Sequence, residues 1–523
     1  MDVIFRTDAS IEIGSGHVMR CLALAHELKL RGLRIVFICR DLTGHLKGLI
    51  EQKGYPVILL SPPDGVKDVR HDETRYGQWL GVNWEIDARQ VLAELMKTSV
   101  PIKWLIVDHY ALNNRWEKTI RQMVQKIIVI DDLADRPHDC DLLLDQNFFA
   151  APEPRYEALV PEHCTRLFGP EFALLRPEFR RAREFSRIRG NGLARILVYF
   201  GGNDPGNITG MALEALCSPK LKHMYVDIVV GPLSPYLEDL KEKVKNRPGT
   251  RIHIQPREFV ELLLRADLCI GAGGTTTWER LCLNVPSVVI TVADNQIPST
   301  SELDQAGYVR WLGRAETITS EDIATALSEM LQGLKRSTGQ QGPGLVDGWG
   351  AVRTAEALIP SSRETLRLRP AKPEDADRYF LWANDKGVRL LSFNQTPIVW
   401  KDHQIWFADK LSSEESFLWV LQTAQGLPVG QIRFDVSRGQ AHIGYSLDPL
   451  VRGRGWSRIL VESGLKAFWE YRPKMMVKAN VKQENLSSRR VFEGLGFCPS
   501  SEEGIMSFSR LPDGEQYRRS LHS

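Results

Sequence analysis

Four glycine-rich turns in this 523-residue chain each stand between a strand-like run and the start of a helix. The first, I-G-S-G-H-V-M-R at 13 to 20, follows V-I-F-R and puts His17 at the mouth of a helix. Gly14 and Gly16 allow a sharp turn and close approach to a ligand. An imidazole titrates near pH 6.5 and can take up a proton at neutral pH. A histidine that caps or packs the loop would have the same address. The second turn is Gly201-Gly202-Asn203-Asp204. The third, Gly271-Ala272-Gly273-Gly274-Thr275-Thr276-Thr277, opens the helix W-E-R-L-C-L. Bare N–H groups, three hydroxyls and the positive end of a helix meet there, which suits a diphosphate. Glu279, in the first turn of that helix, is placed to accept hydrogen bonds from ribose hydroxyls. The fourth, Arg452-Gly453-Arg454-Gly455-Trp456-Ser457, offers successive N–H groups and a helix dipole, a pyrophosphate cradle.

The elements that must position these turns alternate regularly. Apolar runs at 3, 35, 104 and 127, with helical spacing between them, predict parallel βαβ units over the first 150 residues or so. A second series begins at Arg195 with I-L-V-Y-F-G-G and runs to P-S-V-V-I at 286. The stretch from Gly169 to Phe179, rich in proline, suits a connection between them. Two such domains leave a cleft, the usual place for a small-molecule site. The segment R-S-T-G-Q-Q-G-P-G-L from 336 reads as a loop, and D-G-W-G-A-V-R-T-A-E-A-L as a closing helix. Ile359-Pro360-Ser361-Ser362 reads as a linker to a third domain. The boundaries expected are 1–165, 166–360 and 364–520.

Composition narrows the class. Apolar residues make up 43% and charged residues 25%, as in ordinary globular proteins. A formal charge of +2 gives no reason to expect nucleic acid or a membrane surface as partner. No apolar run reaches the roughly 18 residues of a membrane helix, and the N-terminus enters a strand without a secretion signal. The eight cysteines include no C-x-x-C pair, so neither a metal site nor a disulfide framework is expected. Together these point to a reducing cytoplasm.

The pattern G-G-T-T-T-W-E-R-L-C-L-N-V-P-S-V-V-I at 273 resembles the UDP-binding domain of glycosyltransferases with two Rossmann-like domains. R-T-D-A-S-I-E-I-G-S-G-H-V-M-R-C at 6, D-H-Y at 108, D-D-L-A-D-R-P-H-D-C-D-L-L-L-D-Q-N at 131, G-P-E-F-A-L-L-R at 169 and D-N-Q at 294 narrow the match. They are similar to the UDP-2,4-diacetamido-2,4,6-trideoxy-β-L-altropyranose hydrolases of pseudaminic acid synthesis, over about residues 1 to 358. The resemblance implies a GT-B-like fold and metal-free, inverting hydrolysis of a UDP-sugar, with His17 as general base. It implies substrate contacts from Arg6, Asp8, Gly16, Tyr110, Gly202, Gly274, Thr275, Glu279 and Asn295. Asp8 could instead orient the loop, and Arg20 could be a solvated helix residue.

In the last third, A-H-I-G-Y-S-L-D-P-L-V-R-G-R-G-W-S-R-I-L-V precedes V-K-A-N-V-K-Q-E-N-L-S-S-R-R-V-F-E-G-L-G-F. This resembles the GNAT acyltransferases, α+β domains that bind acetyl-CoA between two splayed strands. The resemblance covers about 364 to 500 and implies acetyl-CoA as cosubstrate. It places the pyrophosphate on Val451, Arg452, Gly453, Arg454, Gly455, Trp456 and Ser457, and the acetyl-pantetheine arm beside Leu447. Asn485 and Ser488 match further cofactor contacts. Ser457 stands where the family has Gly or Ala. Phe492 stands where many members place a tyrosine that protonates the leaving thiolate. For deprotonating an amine nucleophile, Glu484, His442 and Tyr445 are candidates.

The expectation is therefore a bifunctional enzyme. Its GNAT domain would acetylate the 4-amino group of UDP-4-amino-4,6-dideoxy-β-L-AltNAc, and its first two domains would hydrolyse the product to free sugar and UDP. The alternatives are a GT-B glycosyltransferase with an attached sugar N-acyltransferase, and a non-catalytic nucleotide-sugar or acyl-CoA sensor.

Overall fold

The computed structural model describes residues 2–61, 75–98, 101–186, 195–232, 234–334, 344–502 and 505–512. Most of the glycine-rich stretch expected as a loop from 336 lies outside them, as does the end of the third domain beyond 512. The chain divides into two compact units, the first reaching Ala355 and the second beginning at Glu356.

The first unit holds two parallel sheets. In one, β1 (Val3–Thr7), β2 (Ile35–Arg40), β3 (Val57–Leu60), β4 (Ile102–Asp108), β5 (Val124–Ile130), β6 (Leu142–Asp145) and β7 (Thr165–Phe168) take the order β3-β2-β1-β4-β5-β6-β7. All its pairings are parallel. The fully buried patterns of β1 and β2 are what a sheet covered on both faces demands. In the other, β8 (Arg195–Tyr199), β9 (Tyr225–Val230), β10 (Thr250–Ile254), β11 (Leu268–Ala272), β12 (Ser287–Thr291) and β13 (Arg310–Arg314) take the order β10-β9-β8-β11-β12-β13, again parallel.

Each sheet reverses its strand order once, between β1 and β4 and between β8 and β11. At such a reversal the loops beyond the strand C-termini diverge and open a crevice. The His17 loop follows β1, and Asp108 ends β4. Gly201 and Gly202 follow β8, and Gly273 and Gly274 follow β11. The three glycine turns of this unit thus all stand at switch points.

The second unit is built on one mixed sheet. It comprises β14 (Arg367–Pro370), β15 (Ser416–Gln422), β16 (Pro428–Ser437), β17 (Gln440–Leu447), β18 (Met476–Lys482), β19 (Cys498–Glu502) and β20 (Ile505–Arg510), in the order β14-β15-β16-β17-β18-β20-β19. Among the described residues only β17 and β18 pair in parallel, over Gln440–His442 against Met476–Lys478. Beyond that point the two strands part. The expected linker at 359 to 362 is tied down: the buried Glu356 carboxylate accepts from the Ser361 N–H and hydroxyl and pairs with Arg454. No helix among the described residues is long and apolar enough to cross a membrane.

Candidate active sites

His17 lies in the first turn of the helix Gly16–Leu30, directly over the C-terminal end of β4. Its Nδ1 is 2.5 Å from Asp108 Oδ1. A carboxylate can only accept, so Nδ1 carries the proton, and Nε2 is left as the ring nitrogen able to receive one. Arg20, one turn along the same helix, grips Asp108 from the other side at 2.7 Å through Nε and 2.6 Å through Nη2. Burial by itself would raise the Asp108 pKa, but the charges of Arg20 and His17 hold it well below the usual carboxylate range. Arg20 also reaches Asp132 at 3.0 Å. At 4% exposure it is a buried anchor for the dyad rather than a solvated helix residue.

Aromatic rings surround the imidazole. Tyr110 meets it edge-on at 4.6 Å, and Trp79 does so at 6.4 Å. Trp79 lies nearly parallel to Tyr110 at 5.6 Å, and Tyr76 packs against both. The Tyr110 phenol is kept protonated: burial and the neighbouring Asp132 carboxylate push its pKa well above the ordinary value. Across the cleft, Asn295 Nδ2 donates to the Tyr110 hydroxyl at 3.4 Å.

The second sheet brings its loop to the same place. A Cβ on Gly16 would lie 3.1 Å from Thr275 Oγ1, so the two turns approach closely and a larger residue at 16 would push the Thr275 side chain aside. The Gly271–Gly274 loop is held from below and from the side. Arg280 donates to the Ala272 carbonyl at 2.7 Å, and Gln296 Oε1 accepts from the Gly273 N–H at 3.2 Å. Gly202 is exposed at the cleft, and Asn203 reaches the Ile11 carbonyl opposite at 3.3 Å. Glu279, in the first turn of the helix Thr276–Cys282, is 3.7 Å from Arg176, and burial pushes its carboxyl up to about 7.

Two of the expected contacts need correction. Arg6 and Asp8 are fully buried and spent on each other and on their neighbours. Arg6 binds Asp87, which also takes Arg40 and the Trp116 indole; Asp8 accepts from the Arg40 backbone and faces His109. With no surface exposed, neither side chain can reach a substrate, so these residues support the turn.

In the second unit, a cavity of about 140 Å³ opens where β17 and β18 part. Tyr445, Asn485, Ser488 and Phe492 line it. The Tyr445 hydroxyl is 3.1 Å from Ser488 Oγ, and its ring meets Phe492 edge-on at 5.8 Å. Asn485 Oδ1 accepts from the Ser488 N–H and caps the helix Leu486–Gly494. Glu484 is exposed and does not line this cavity; His442 is exposed on the paired end of β17.

The loop expected to hold the pyrophosphate precedes the helix Trp456–Tyr471, with Gly453 and Gly455 at positive φ. Val451, Trp456 and Leu447 turn their side chains into the core. Arg454 is engaged by Glu356, and Arg452 by Asp385 and the Leu447 carbonyl. What Val451 to Ser457 present to a ligand is therefore mainly backbone. Asp108, Asp132, Tyr76 and Trp79 also gather around the imidazole, though the sequence did not single them out as site residues, and Arg20 joins them. Asp108 carried a signal, an acid ending a buried strand, whereas Tyr76 and Trp79 lie in a segment without periodicity.

Residues 365–498 match the acetyltransferase (GNAT) domain family. An uncharacterized protein of Methanocaldococcus jannaschii is 22% identical over 95% of this chain and 96% of its own length. The UDP-2,4-diacetamido-2,4,6-trideoxy-β-L-altropyranose hydrolase of Campylobacter jejuni is 29% identical over 59% of this chain and 98% of its own. The Bacillus subtilis spore coat polysaccharide biosynthesis protein SpsG is 29% identical over 37% of this chain and 58% of its own. The chain is thus an enzyme that joins two Rossmann-like domains, related to a UDP-sugar hydrolase, to a C-terminal GNAT acetyltransferase domain.

Proposed function

We propose that the first unit hydrolyses UDP-2,4-diacetamido-2,4,6-trideoxy-β-L-altropyranose with inversion, and that the second acetylates its 4-amino precursor from acetyl-CoA, two consecutive steps of pseudaminic acid synthesis. The observation that carries the hydrolytic half is the Asp108-fixed His17 ring at the switch point, facing the Gly273–Thr275 loop. Water gives a proton to His17 Nε2 as its oxygen bonds to the anomeric carbon. The bond from that carbon to the UDP oxygen breaks on the opposite face, and the electron pair leaves on the diphosphate. The N–H groups of Gly274 and Thr275 and the Thr275 hydroxyl meet the charge that develops there. Glu279 accepts from the ribose. Tyr110 and Asn295, joined across the cleft, hold the sugar between the two domains. The similarity to the Campylobacter jejuni hydrolase over nearly its whole length supports this choice of substrate.

The acetyl-transfer half rests on the GNAT domain and on the cavity between β17 and β18. Acetyl-CoA lies with its pyrophosphate on the backbone of Val451 to Ser457. The amine of the UDP-sugar attacks the thioester carbon.

The test follows UDP-4-amino-4,6-dideoxy-β-L-AltNAc and acetyl-CoA by NMR with wild type and His17→Ala. Wild type is expected to release UDP and the free diacetamido sugar, with His17→Ala stopping at the acetylated UDP-sugar. An acetylated product that keeps its UDP with wild type overturns the hydrolase reading in favour of a glycosyltransferase awaiting an acceptor. No acetylation at all overturns the proposed amine.

A further inference from the structure

We propose that Tyr445, on β17, is the acid that protonates the sulfur of CoA as the acetyl group leaves. The inference rests on the GNAT reading of the second unit and assigns a group to its chemistry.

When an amine adds to a thioester, the carbonyl carbon gains a C–N bond and must lose its C–S bond. The electron pair departs on sulfur, and a proton delivered there completes CoA-SH. The donor must be a group still protonated at working pH and must stand in the space where the strands part. The cavity offers two hydroxyls, Tyr445 and Ser488, and one cation, Lys482. Lys482 Nζ points to the Leu390 carbonyl at 3.3 Å. Phe492, on the helix facing Tyr445, has no proton to give.

Burial raises the Tyr445 pKa above its ordinary value, against the lowering pull of Ser488, so the side chain enters the reaction as a phenol. Ser488 Oγ, 3.1 Å from the phenol oxygen, can turn its own proton towards the phenolate left after transfer. Asn485 fixes Ser488 in turn, by capping the helix that carries it. The balance then closes: the phenolate recovers, through Ser488 or solvent, the proton shed by the newly bonded nitrogen. The sum is amine plus acetyl-CoA giving amide plus CoA-SH.

The pair also accounts for Phe492. Its ring packs on Phe497 at 5.0 Å and Phe508 at 5.6 Å while touching Tyr445 edge-on, so it supports the phenol from behind. The acid has moved from the helix to the facing strand, with the aromatic ring on the helix kept as packing.

The experiment measures CoA-SH release from acetyl-CoA and the 4-amino UDP-sugar with full-length wild type, Tyr445→Phe, and the double variant Tyr445→Phe/Phe492→Tyr. Tyr445→Phe is expected to lower kcat about a hundredfold, the low end of general-acid catalysis because a thiolate leaves well. KM and the dissociation constant for acetyl-CoA should stay within about twofold. The double variant should recover part of the lost kcat, since it returns a phenol to the same cavity from the other side. An unchanged kcat in Tyr445→Phe overturns the proposal, as does a loss confined to acetyl-CoA binding. If wild type leaves this amine unacetylated, the acceptor proposed above is wrong. The same comparison then runs on the hydrolysis of acetyl-CoA, which breaks the same C–S bond and carries the same expected and overturning results.

Discussion

At His17 a carboxylate and a guanidinium are buried together against the imidazole, whereas at Tyr445 the nearest polar partner is a hydroxyl. The contrast follows the chemistry proposed for each. Water is a poor nucleophile and must lose a proton as it attacks, so its base is backed by a full negative charge held in place by a positive one. A thioester is already activated and its thiolate leaves readily, so a neutral hydrogen-bonding pair is enough. Building the first site costs more. Asp108 and Arg20 are both removed from water, which is tolerable only because each satisfies the other in a bidentate pair. Building the second costs little, because a tyrosine and a serine lose only water hydrogen bonds that they replace with one another.

The sharpest way to break this comparison is to remove the base. His17→Ala should lower the rate of UDP release about a thousandfold to ten-thousandfold, the upper range for a positioned base. Acetylation, measured in the same sample, should be untouched. A drop of less than about tenfold would mean that water needs no such base here, and the contrast between the two sites would disappear.

Next comes the charge behind the base. Asp108→Asn keeps the shape but offers an amide that can donate to Nδ1, which favours the tautomer with its proton on Nε2, the wrong nitrogen for accepting one. We expect a loss of about a hundredfold to a thousandfold in kcat. Affinity for UDP should change little, because Asp108 lies beneath the ring and not in the diphosphate turn. A variant that keeps kcat and loses only UDP affinity would recast Asp108 as scaffolding.

How much of this was legible in the sequence differs between the two sites for a physical reason. Glycine turns after strands are local signals, so the turns at 14, 202, 273 and 453 could be placed from residue types alone. His17 could be singled out because its turn and its helix are adjacent in the chain. Its partner is 91 residues away, and only the pairing of β1 with β4 brings the two together. Arg20 looked solvated because a helix pattern records which face is apolar, not which charge will meet a partner. Arg6 and Asp8 erred the other way: charged residues beside a ligand turn suggest contact, yet a network closed by Asp87 and Arg40 takes them out of reach. In the second unit, the absence of a tyrosine at 492 was plain in the sequence. That Tyr445 faces the same cavity depends on where two strands stop pairing, which no local pattern encodes.

The smallest effect expected concerns Glu279, whose buried carboxyl titrates near neutrality, unlike the deeply acidic Asp108. Burial raises its pKa from 4.5 to about 7, against the lowering pull of Arg176. Below that pH the group is a neutral acid, and above it a carboxylate that accepts strongly from hydroxyls. If the ribose is its partner, the ligand prefers the ionised form, so binding draws the pKa down. Affinity must then rise as pH increases towards and through 7. The diphosphate of a UDP-sugar does not titrate in this range, so calorimetric titration with a UDP-sugar between pH 5.5 and 8.5, run on wild type and Glu279→Gln, assigns the carboxyl by difference. We expect severalfold tighter binding at the upper end for wild type, and a flat profile for Glu279→Gln. An equal rise in the variant would assign the proton to another group and leave Glu279 as a partner of Arg176 alone.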